Sequence, residues 1–172
     1  MLLRGWEPTD VEAVFAYASD PEVARYMAWD RHDSLAQSHG FLNEITATNY
    51  RHHDLSYALC LKSAPESPLG GIGLFARSRQ HGTYELGYVL RRSAWGQGLV
   101  PEAARVLIDY GFSHLPAERI YAPIFAENEK SRRAAVKMGL TLDGVLRSSL
   151  CFHGRRWDEA IYSALRTEWA SK

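Results

Sequence analysis

The sequence predicts a mixed α/β (α+β) fold, and the order of its segments is the main reason. Near the N-terminus, apolar residues recur every three or four positions, a spacing typical of amphipathic helices. Later apolar runs are short and bounded by Gly, Pro or charged residues, as strands usually are. Helices first, then strands with two embedded helices, indicate one mixed sheet. The 172 residues suit a single domain with its own core.

Three helical segments precede the strands. The first has Thr9 or Asp10 as its cap, the second carries Pro21 in its first turn, and Ser34 precedes the third. The first and the third have apolar residues at helical spacing on one face. The predicted helices span residues 9–18, 21–27 and 35–48.

Six strands and two further helices fill the rest of the chain. The turn-like segment KSAPESP joins the first two strands, and the last two strands meet at Gly154. Gly139 ends the second of these helices, because glycine is favoured just past a helix C-terminus. The strands are predicted at residues 55–61, 69–76, 83–91 and 118–125 and, as a pair, within 144–166, with helices at 101–114 and 128–138.

The composition argues against several classes of function. Hydrophobic residues make up 46% of the chain and charged residues 23%, and 20 basic residues balance 20 acidic ones. A neutral balance argues against nucleic-acid and membrane partners. No apolar run approaches the length of a membrane span and the N-terminus does not resemble a signal peptide, so we expect a cytoplasmic protein. Cys60 and Cys151 lie in apolar strand-like runs and are predicted to be buried thiols.

Two glycines, Gly96 and Gly98, stand just before the amphipathic helix at 101–114. Glycines before a helix N-terminus let backbone N–H groups approach an anion, and the helix dipole favours negative charge there. Pro101 stands where a dinucleotide fingerprint has its third glycine, and the chain lacks the Gly-Lys-Ser or Gly-Lys-Thr of a P-loop. An anion site and a simple tight turn are both consistent with this pattern.

The segment ELGYVLRRSAWGQGLVPEAARVLIDYGF resembles the acyl-CoA-binding motif of the GNAT superfamily of N-acetyltransferases. NEKSRRAAVKMGL is similar to the next helix of that family. HGRRWDEAIYSALRTEW and DPEVARYMAWDRHDSLAQSHGFL resemble the C-terminal hairpin and the N-terminal helical segment of its ribosomal-protein N-terminal acetyltransferase (Rim-type) branch. The resemblance covers nearly the whole chain in the right order. It departs from the motif at Ser93, where the family often has Gln or Arg.

This resemblance implies a GNAT-like central twisted, mostly antiparallel sheet with a splayed parallel strand pair, flanked by helices. It implies one N-acetyltransferase domain over residues 1–172, with acetyl-CoA as co-substrate and no metal. The acetyl group would pass directly to a primary amine in a ternary complex. The acceptor is either a protein N-terminal α-amine or a small-molecule amine, and the sequence does not choose between them. A homodimer is also compatible with the sequence. A non-catalytic acyl-CoA-binding or sensing domain is the alternative from another class of function.

The resemblance also assigns contacts to the coenzyme. Backbone N–H groups of the glycine loop would hold the pyrophosphate, and a backbone N–H near Leu90 would polarise the thioester carbonyl. The predicted set is Val89, Leu90, Trp95, Gly96, Gln97, Gly98, Leu99, Val100, Asn128 and Ser131. Asn128 is also a preferred helix N-cap, which offers a purely structural explanation. Candidates for the 3′-phosphate, among which the sequence does not choose, are Arg91, Arg92, Lys130, Arg132 and Arg133.

Two residues are predicted to take part in the chemistry. Glu85 stands where many family members carry a glutamate that acts through water, and strand alternation puts it on one face with Gly87 and Val89. It would be a base for the amine or its anchor, although a strand glutamate could also simply face solvent. Ser131 is the candidate acid for departure of the thiolate, because Ala135 replaces the tyrosine that many relatives use.

Aromatic residues are the candidates for the acceptor pocket. Tyr26 and Trp29 lie in the early helical region, which covers the mouth of the pocket in this family. Tyr84 precedes Glu85, and Phe152 and His153 stand at the C-terminal hairpin. We predict that these side chains contact the amine acceptor.

Overall fold

The structure, a computed structural model, describes residues 1–52, 54–152 and 154–169, with the backbone alone at 48–52. Seven strands form one sheet in the order β1-β2-β3-β4-β5-β7-β6. The strands are β1 Leu2–Arg4, β2 Leu55–Cys60, β3 Gly70–Ser78, β4 Thr83–Leu90, β5 Arg119–Phe125, β6 Thr141–Phe152 and β7 Arg155–Leu165. The helices are α1 Val11–Ala18, α2 Pro21–Ala24, α3 Leu35–His52, α4 Leu99–His114, α5 Glu129–Met138 and α6 Arg166–Trp169.

One pair of strands in this sheet is parallel. β4 runs parallel to β5 over three residue pairs, from Thr83 opposite Arg119 to Glu85 opposite Tyr121. The pairs β1–β2, β5–β7 and β6–β7 are antiparallel. This mostly antiparallel sheet with one parallel pair, flanked by helices, confirms the predicted fold class.

The bounds of several elements differ from the predicted ones. α4 begins at Leu99, two residues before Pro101, because Pro is tolerated in the first turn, where its missing N–H needs no partner. α2 ends early, at Ala24, and α3 continues past residue 48. β1 is not predicted from the sequence, because three residues are too few to show alternation. It is identified as a strand by its pairing with β2, in which Leu2 lies opposite Cys60.

Two compact units divide the chain, and the first comprises Met1–Gly73 and Tyr88–Ala103. A buried apolar cluster forms its core. The members of this cluster are Val14, Tyr17, Ala18, Val23 and Leu42. Partly buried side chains pack against the cluster, and Trp95 of the glycine loop is one of them. The loop is therefore tied to the core of this unit.

The second unit comprises Leu74–Gly87 and Ala104–Lys172. Ile120 of β5 is fully buried, and a Cβ at Gly111 of α4 would lie 2.8 Å from its Cδ1. Glycine at this position lets the helix approach the strand closely. α4 thus packs closely on the sheet at Gly111.

The two cysteines differ in their exposure. Cys60 is buried in β2, whereas Cys151 is exposed on β6. β6 is the last strand in the order of the described sheet. The prediction that Cys151 is buried is therefore wrong, because an apolar run in an end strand need not face a core.

Among the helices of the described residues, none combines the length and the apolar composition needed to cross a membrane.

Candidate active site

The glycine loop begins shortly after β4 ends and leads straight into α4. Gly96 and Gly98 have φ of 78° and 76°, in the left-handed region that glycine adopts without steric cost. A Cβ at either position would meet no atom within 4 Å, so the space beside the loop is open. The backbone therefore favours glycine at both positions and leaves the main chain accessible to a ligand.

The amide N–H groups at the start of α4 have no partner within the described residues. No carbonyl or side chain of this part of the chain accepts from the N–H groups of residues 96–100. For the two helical positions, Leu99 and Val100, the reason is that first-turn amides have no intrahelical acceptor. The Trp95 N–H differs from the prediction, because it donates to the Arg92 carbonyl at 3.1 Å. Within the part of the chain that the structure describes, the predicted N–H donors of residues 96–100 thus have no partner, whereas that of Trp95 has one.

Trp95 instead fixes the end of β4 through its side chain. Its indole Nε1 donates to the Leu90 carbonyl at 2.7 Å. The next N–H along the chain, that of Arg91, donates to the Leu69 carbonyl at 2.8 Å. Successive backbone groups of a strand point to opposite edges, so the Leu90 N–H points away from Leu69. This orientation is compatible with the predicted contact between Leu90 and the thioester.

Tyr26 and Trp29, two predicted acceptor residues, are both half-buried in the first unit. The Trp29 ring lies 6.0 Å from the Phe41 ring, between centroids, and packs against the core cluster. The guanidinium of Arg25 lies 5.2 Å from the centroid of the Tyr26 ring. Each ring keeps some exposed surface, and contact with an acceptor stays a prediction for both.

Glu85 lies on the half-buried face of β4, as strand alternation predicts. Its side chain is 20% exposed, whereas Tyr84 and Leu86 on the opposite face are 6% and 1% exposed. Tyr84 therefore faces a packed interior and not the surface on which Glu85 lies. The geometry gives no support to the predicted contact between Tyr84 and the acceptor.

Two neighbours of Glu85 are not predicted by the sequence analysis. Arg77 binds both carboxylate oxygens, with Nε 2.8 Å from Oε2 and Nη2 3.0 Å from Oε1. The Tyr121 hydroxyl donates to Oε2 at 3.1 Å. Burial, together with the adjacent Glu85 carboxylate, raises the pKa of Tyr121 above its ordinary value. Arg77 could have been predicted near Glu85, because β3 and β4 are consecutive strands that lie side by side in the sheet. The parallel register that brings Tyr121 to Glu85 cannot be read from the spacing of residues in the sequence.

The start of α5 carries the remaining predicted coenzyme contacts. Asn128 is the N-cap of this helix, and its Oδ1 accepts from the Ser131 N–H at 3.1 Å. The structural explanation for Asn128 is therefore confirmed. A capped N-terminus still presents the positive end of the helix dipole, so coenzyme contacts of Asn128 and Ser131 stay predictions.

Arg92 and Arg133, both candidates for the 3′-phosphate, already bind a carboxylate. Arg92 pairs with Asp20 at 2.9 Å, and Arg133 pairs with Glu129 at 3.2 Å along α5. Arg132 and Arg133 border a shallow groove beside α5. The structure therefore ranks none of the candidates above the others.

The C-terminal hairpin contributes one described candidate to the acceptor pocket. Phe152 is half-buried beside Phe125, with ring centroids 6.1 Å apart. His153 lies outside the described residues. Within the ranges that the structure describes, no group of three or more His, Cys, Asp or Glu side chains could hold a metal ion.

These features define a class of protein. An open glycine loop leads from β4 into a helix whose first amides have no partner among the described residues, a geometry that favours an anion, and β4 also carries the Glu85 carboxylate with its two hydrogen-bond partners. Each of these features is compatible with a transferase that has an acyl-CoA donor. The family model described as an acetyltransferase (GNAT) domain matches residues 1–141. The chain belongs to this family and is an acyl-CoA-dependent N-acetyltransferase, with acetyl-CoA as co-substrate.

Comparisons with individual proteins agree with this assignment. The chain is 31% identical over 166 residues to the uncharacterized N-acetyltransferase YoaA of Bacillus subtilis, covering 96% of this chain and 93% of YoaA. A crystal structure of a GNAT-family acetyltransferase from Bacillus anthracis has a TM-score of 0.85 at 27% identity, covering 97% of this chain and 95% of the other. RimL, a ribosomal L7/L12 α-N-protein acetyltransferase solved with coenzyme A, has a TM-score of 0.83 at 17% identity, with coverage of 95% and 92%. At 17% identity, the comparison with RimL shows a common fold and nothing further.

Proposed function

We propose that the chain transfers the acetyl group of acetyl-CoA directly to a primary amine, and that residues 1–172 work as one N-acetyltransferase domain. The amides of residues 96–100 would hold the pyrophosphate of the coenzyme. This row of donors, which have no acceptor among the residues that the structure describes, together with the open space beside Gly96 and Gly98, is the observation that carries the proposal. An anion at this position gains charge-assisted hydrogen bonds and a favourable helix dipole.

The end of β4 is proposed to bind the acyl end of the coenzyme. The pantetheine arm would pair with backbone groups at Val89 and Leu90, much as an added strand does. Attack of the amine on the thioester carbonyl places negative charge on its oxygen. A fixed backbone N–H at Leu90 would stabilise that charge without reorganisation.

Ser131 is proposed to assist departure of the coenzyme thiolate. Its hydroxyl would bond the sulfur or an intervening water, and the Asn128 cap would keep the first turn of α5 in place. A coenzyme thiol with a pKa near that of cysteine, about 8.5, can also take its proton from water. Loss of the Ser131 hydroxyl would therefore slow turnover without abolishing it.

Glu85 is proposed to contact the acceptor amine, as base or as anchor. Only a neutral amine attacks the thioester, and at pH 7 deprotonation costs about 1.4 kcal/mol for an α-amine but over about 4 kcal/mol for an alkylamine. The half-buried carboxylate on an accessible sheet face supports this contact. A covalent intermediate on Cys60 is disfavoured, because burial raises the pKa of this thiol.

The acceptor that we propose first is a protein N-terminal α-amine. The support is the resemblance of the N-terminal helical segment and the C-terminal hairpin to the Rim-type branch, to which RimL belongs by name. Small amines, including free amino acids, polyamines and aminoglycosides, are the competing acceptors, because related sites diversify through the lining of the pocket.

A transfer assay with detection of free thiol tests the proposal. Acetyl-CoA is offered with N-terminal peptides, free amino acids, spermidine and an aminoglycoside, and coenzyme binding is measured separately. We expect amine-dependent release of thiol, and a loss of at least about tenfold in kcat for Glu85→Gln with little change in coenzyme affinity. Glu118→Gln, which loses an exposed ion pair with Arg166, is the matched control and should behave as wild type. Coenzyme binding with no transfer to any amine would indicate the non-catalytic sensing domain.

A further inference from the structure

The side chain of Trp95 connects the glycine loop to the end of β4. It is half-buried and packs against the apolar core cluster of the first unit. Its indole Nε1 donates to the Leu90 carbonyl at 2.7 Å, and the backbone N–H of Trp95 donates to the Arg92 carbonyl at 3.1 Å. Gly96, the first glycine of the loop, follows directly in the chain. Trp95 therefore joins the strand end proposed to bind the acyl group to the loop proposed to bind the pyrophosphate.

The peptide group between Leu90 and Arg91 is held at both of its polar atoms. Its oxygen accepts from the Trp95 indole, and its N–H, which is that of Arg91, donates to the Leu69 carbonyl at 2.8 Å. Leu69 is buried, and its own N–H donates to the carbonyl of the buried Leu59 at 2.8 Å. Because a peptide group is planar, rotation of this one would break at least one of the two hydrogen bonds. The backbone is therefore restrained directly after Leu90.

The preceding peptide group, between Val89 and Leu90, carries the N–H that is proposed to contact the thioester. Its oxygen points toward β3, because a Cβ at Gly70 would clash with it and would lie 2.8 Å from the Leu90 Cα. The N–H and C=O of a trans peptide group point in opposite directions, so the Leu90 N–H points away from β3. The N–H and the carbonyl of one strand residue lie on the same edge of the strand. The Trp95 indole thus bonds to Leu90 on the edge that also carries this N–H.

We infer that Trp95 is a positioning residue for acyl transfer, whose indole N–H holds the Leu90 carbonyl and thereby keeps the Leu90 N–H directed at the thioester oxygen. The inference rests on the proposed function and adds a side-chain role to the backbone contacts proposed there. Negative charge on the thioester oxygen is larger in the transition state than in bound acetyl-CoA. A donor that is oriented before the reaction therefore lowers the barrier more than it strengthens binding.

Trp95→Phe separates this role from simple packing. Phenylalanine keeps an aromatic ring against the core cluster and removes the indole donor, while the backbone N–H of residue 95 can still donate to Arg92. The amides of residues 96–100 are unchanged, so the affinity for coenzyme A, which lacks the acetyl group, should stay within about twofold of wild type. Trp6→Phe is the matched control, because Trp6 packs against the same cluster and loses an indole hydrogen bond to Ser56 Oγ of 3.2 Å.

The Leu90 amide reports the positioning in the protein without coenzyme. NMR relaxation of the backbone nitrogens gives its order parameter, which is about 0.85 for rigid backbone and below about 0.6 for flexible backbone. We expect a rigid Leu90 amide in wild type and in Trp6→Phe, and a clear decrease in Trp95→Phe. The amide of Leu86, in the middle of β4, should not change. An unchanged order parameter of Leu90 in Trp95→Phe would overturn the inference.

The thioester carbonyl reports the same contact when acetyl-CoA is bound. A hydrogen bond to a carbonyl oxygen lowers its stretching frequency, and an isotope label at the carbonyl carbon isolates this band in an infrared difference spectrum. We expect the band of bound acetyl-CoA to move to higher frequency and to broaden in Trp95→Phe, but not in Trp6→Phe. A band at the wild-type frequency in Trp95→Phe would contradict the inference.

Single-turnover kinetics measure the consequence for catalysis, with whichever of an N-terminal peptide and spermidine reacts faster. Removal of an oxyanion donor costs about 100- to 1,000-fold in kcat, and Trp95→Phe only loosens the donor, so the transfer rate should fall about tenfold. The KM for acetyl-CoA should stay within about threefold of wild type, because the loop contacts persist. A wild-type transfer rate, or a loss found only in KM, would contradict a positioning role.

These measurements distinguish the inference from the proposed function. Coenzyme binding with no transfer to any amine would overturn the proposed function, whatever the effect of Trp95→Phe. Transfer by wild type, with the order parameter, carbonyl band and transfer rate all unchanged in Trp95→Phe, would overturn the inference alone.

Discussion

Replacement of Gly98 tests the proposed contact between the glycine loop and the coenzyme through both strain and bulk. Gly98 has φ of 76°, and an L-residue pays about 1–2 kcal/mol to hold that conformation. Gly98→Ala should therefore reduce the binding-competent fraction of the loop and weaken coenzyme binding by about 5- to 30-fold. Gly98→Trp also fills the open space beside the loop. Loss of two hydrogen bonds from backbone N–H groups to a charged phosphate costs about 3–6 kcal/mol. Coenzyme affinity should therefore fall at least about 100-fold.

Titration calorimetry with coenzyme A measures these affinities, and the melting temperature without coenzyme reports any loss of fold. Gly154→Trp is the matched control, because Gly154 has φ of 73° and no atom within 4 Å of its Cβ position. It carries similar strain and the same added bulk on a hairpin turn outside the glycine loop, and it should bind coenzyme like wild type. Coenzyme affinity of Gly98→Trp within about twofold of wild type, less than 0.5 kcal/mol, would refute the loop assignment.

Three further predictions concern stability. Asn128→Ala should lower the unfolding free energy by about 1 kcal/mol through loss of the cap, measured by urea denaturation, whereas Asn128→Asp should retain most of it. Tyr17→Phe should leave stability unchanged or raise it by about 1–3 kcal/mol, because the buried hydroxyl has no hydrogen-bond partner among the described residues; a clear loss in the urea midpoint would contradict this. Burial lowers the pKa of His32, so the unfolded chain binds a proton more readily and stability should fall as the pH drops below the ordinary value of 6.5. His32→Gln should flatten that part of the profile, followed by urea midpoints between pH 5 and 7.5.

Local signals explain why most elements can be predicted from the sequence. Asn128 and Gly139 bound α5, with the αL conformation at Gly139 supplying its C-cap. Strand alternation correctly assigns Glu85 to one face of β4 and Leu86 to the other. These signals depend on neighbouring residues in the chain. The three-residue strand β1 lacks them, and pairing with β2 alone defines it.

The surroundings of the site depend on contacts that no local pattern encodes. Tyr121 reaches Glu85 because β4 and β5 are parallel in one particular register. The amide of Trp95 is taken by the turn at Arg92, a bond that the Gly-x-Gly motif does not reveal. Sequence reasoning therefore identifies which residues could carry the chemistry, and tertiary structure decides which of their atoms are available.

A crystal structure with coenzyme A bound tests the central claim most directly. The account predicts pyrophosphate oxygens within hydrogen-bond distance, about 3 Å, of the backbone nitrogens of residues 96–100. A pyrophosphate bound elsewhere on the protein, with those nitrogens facing solvent, would contradict it.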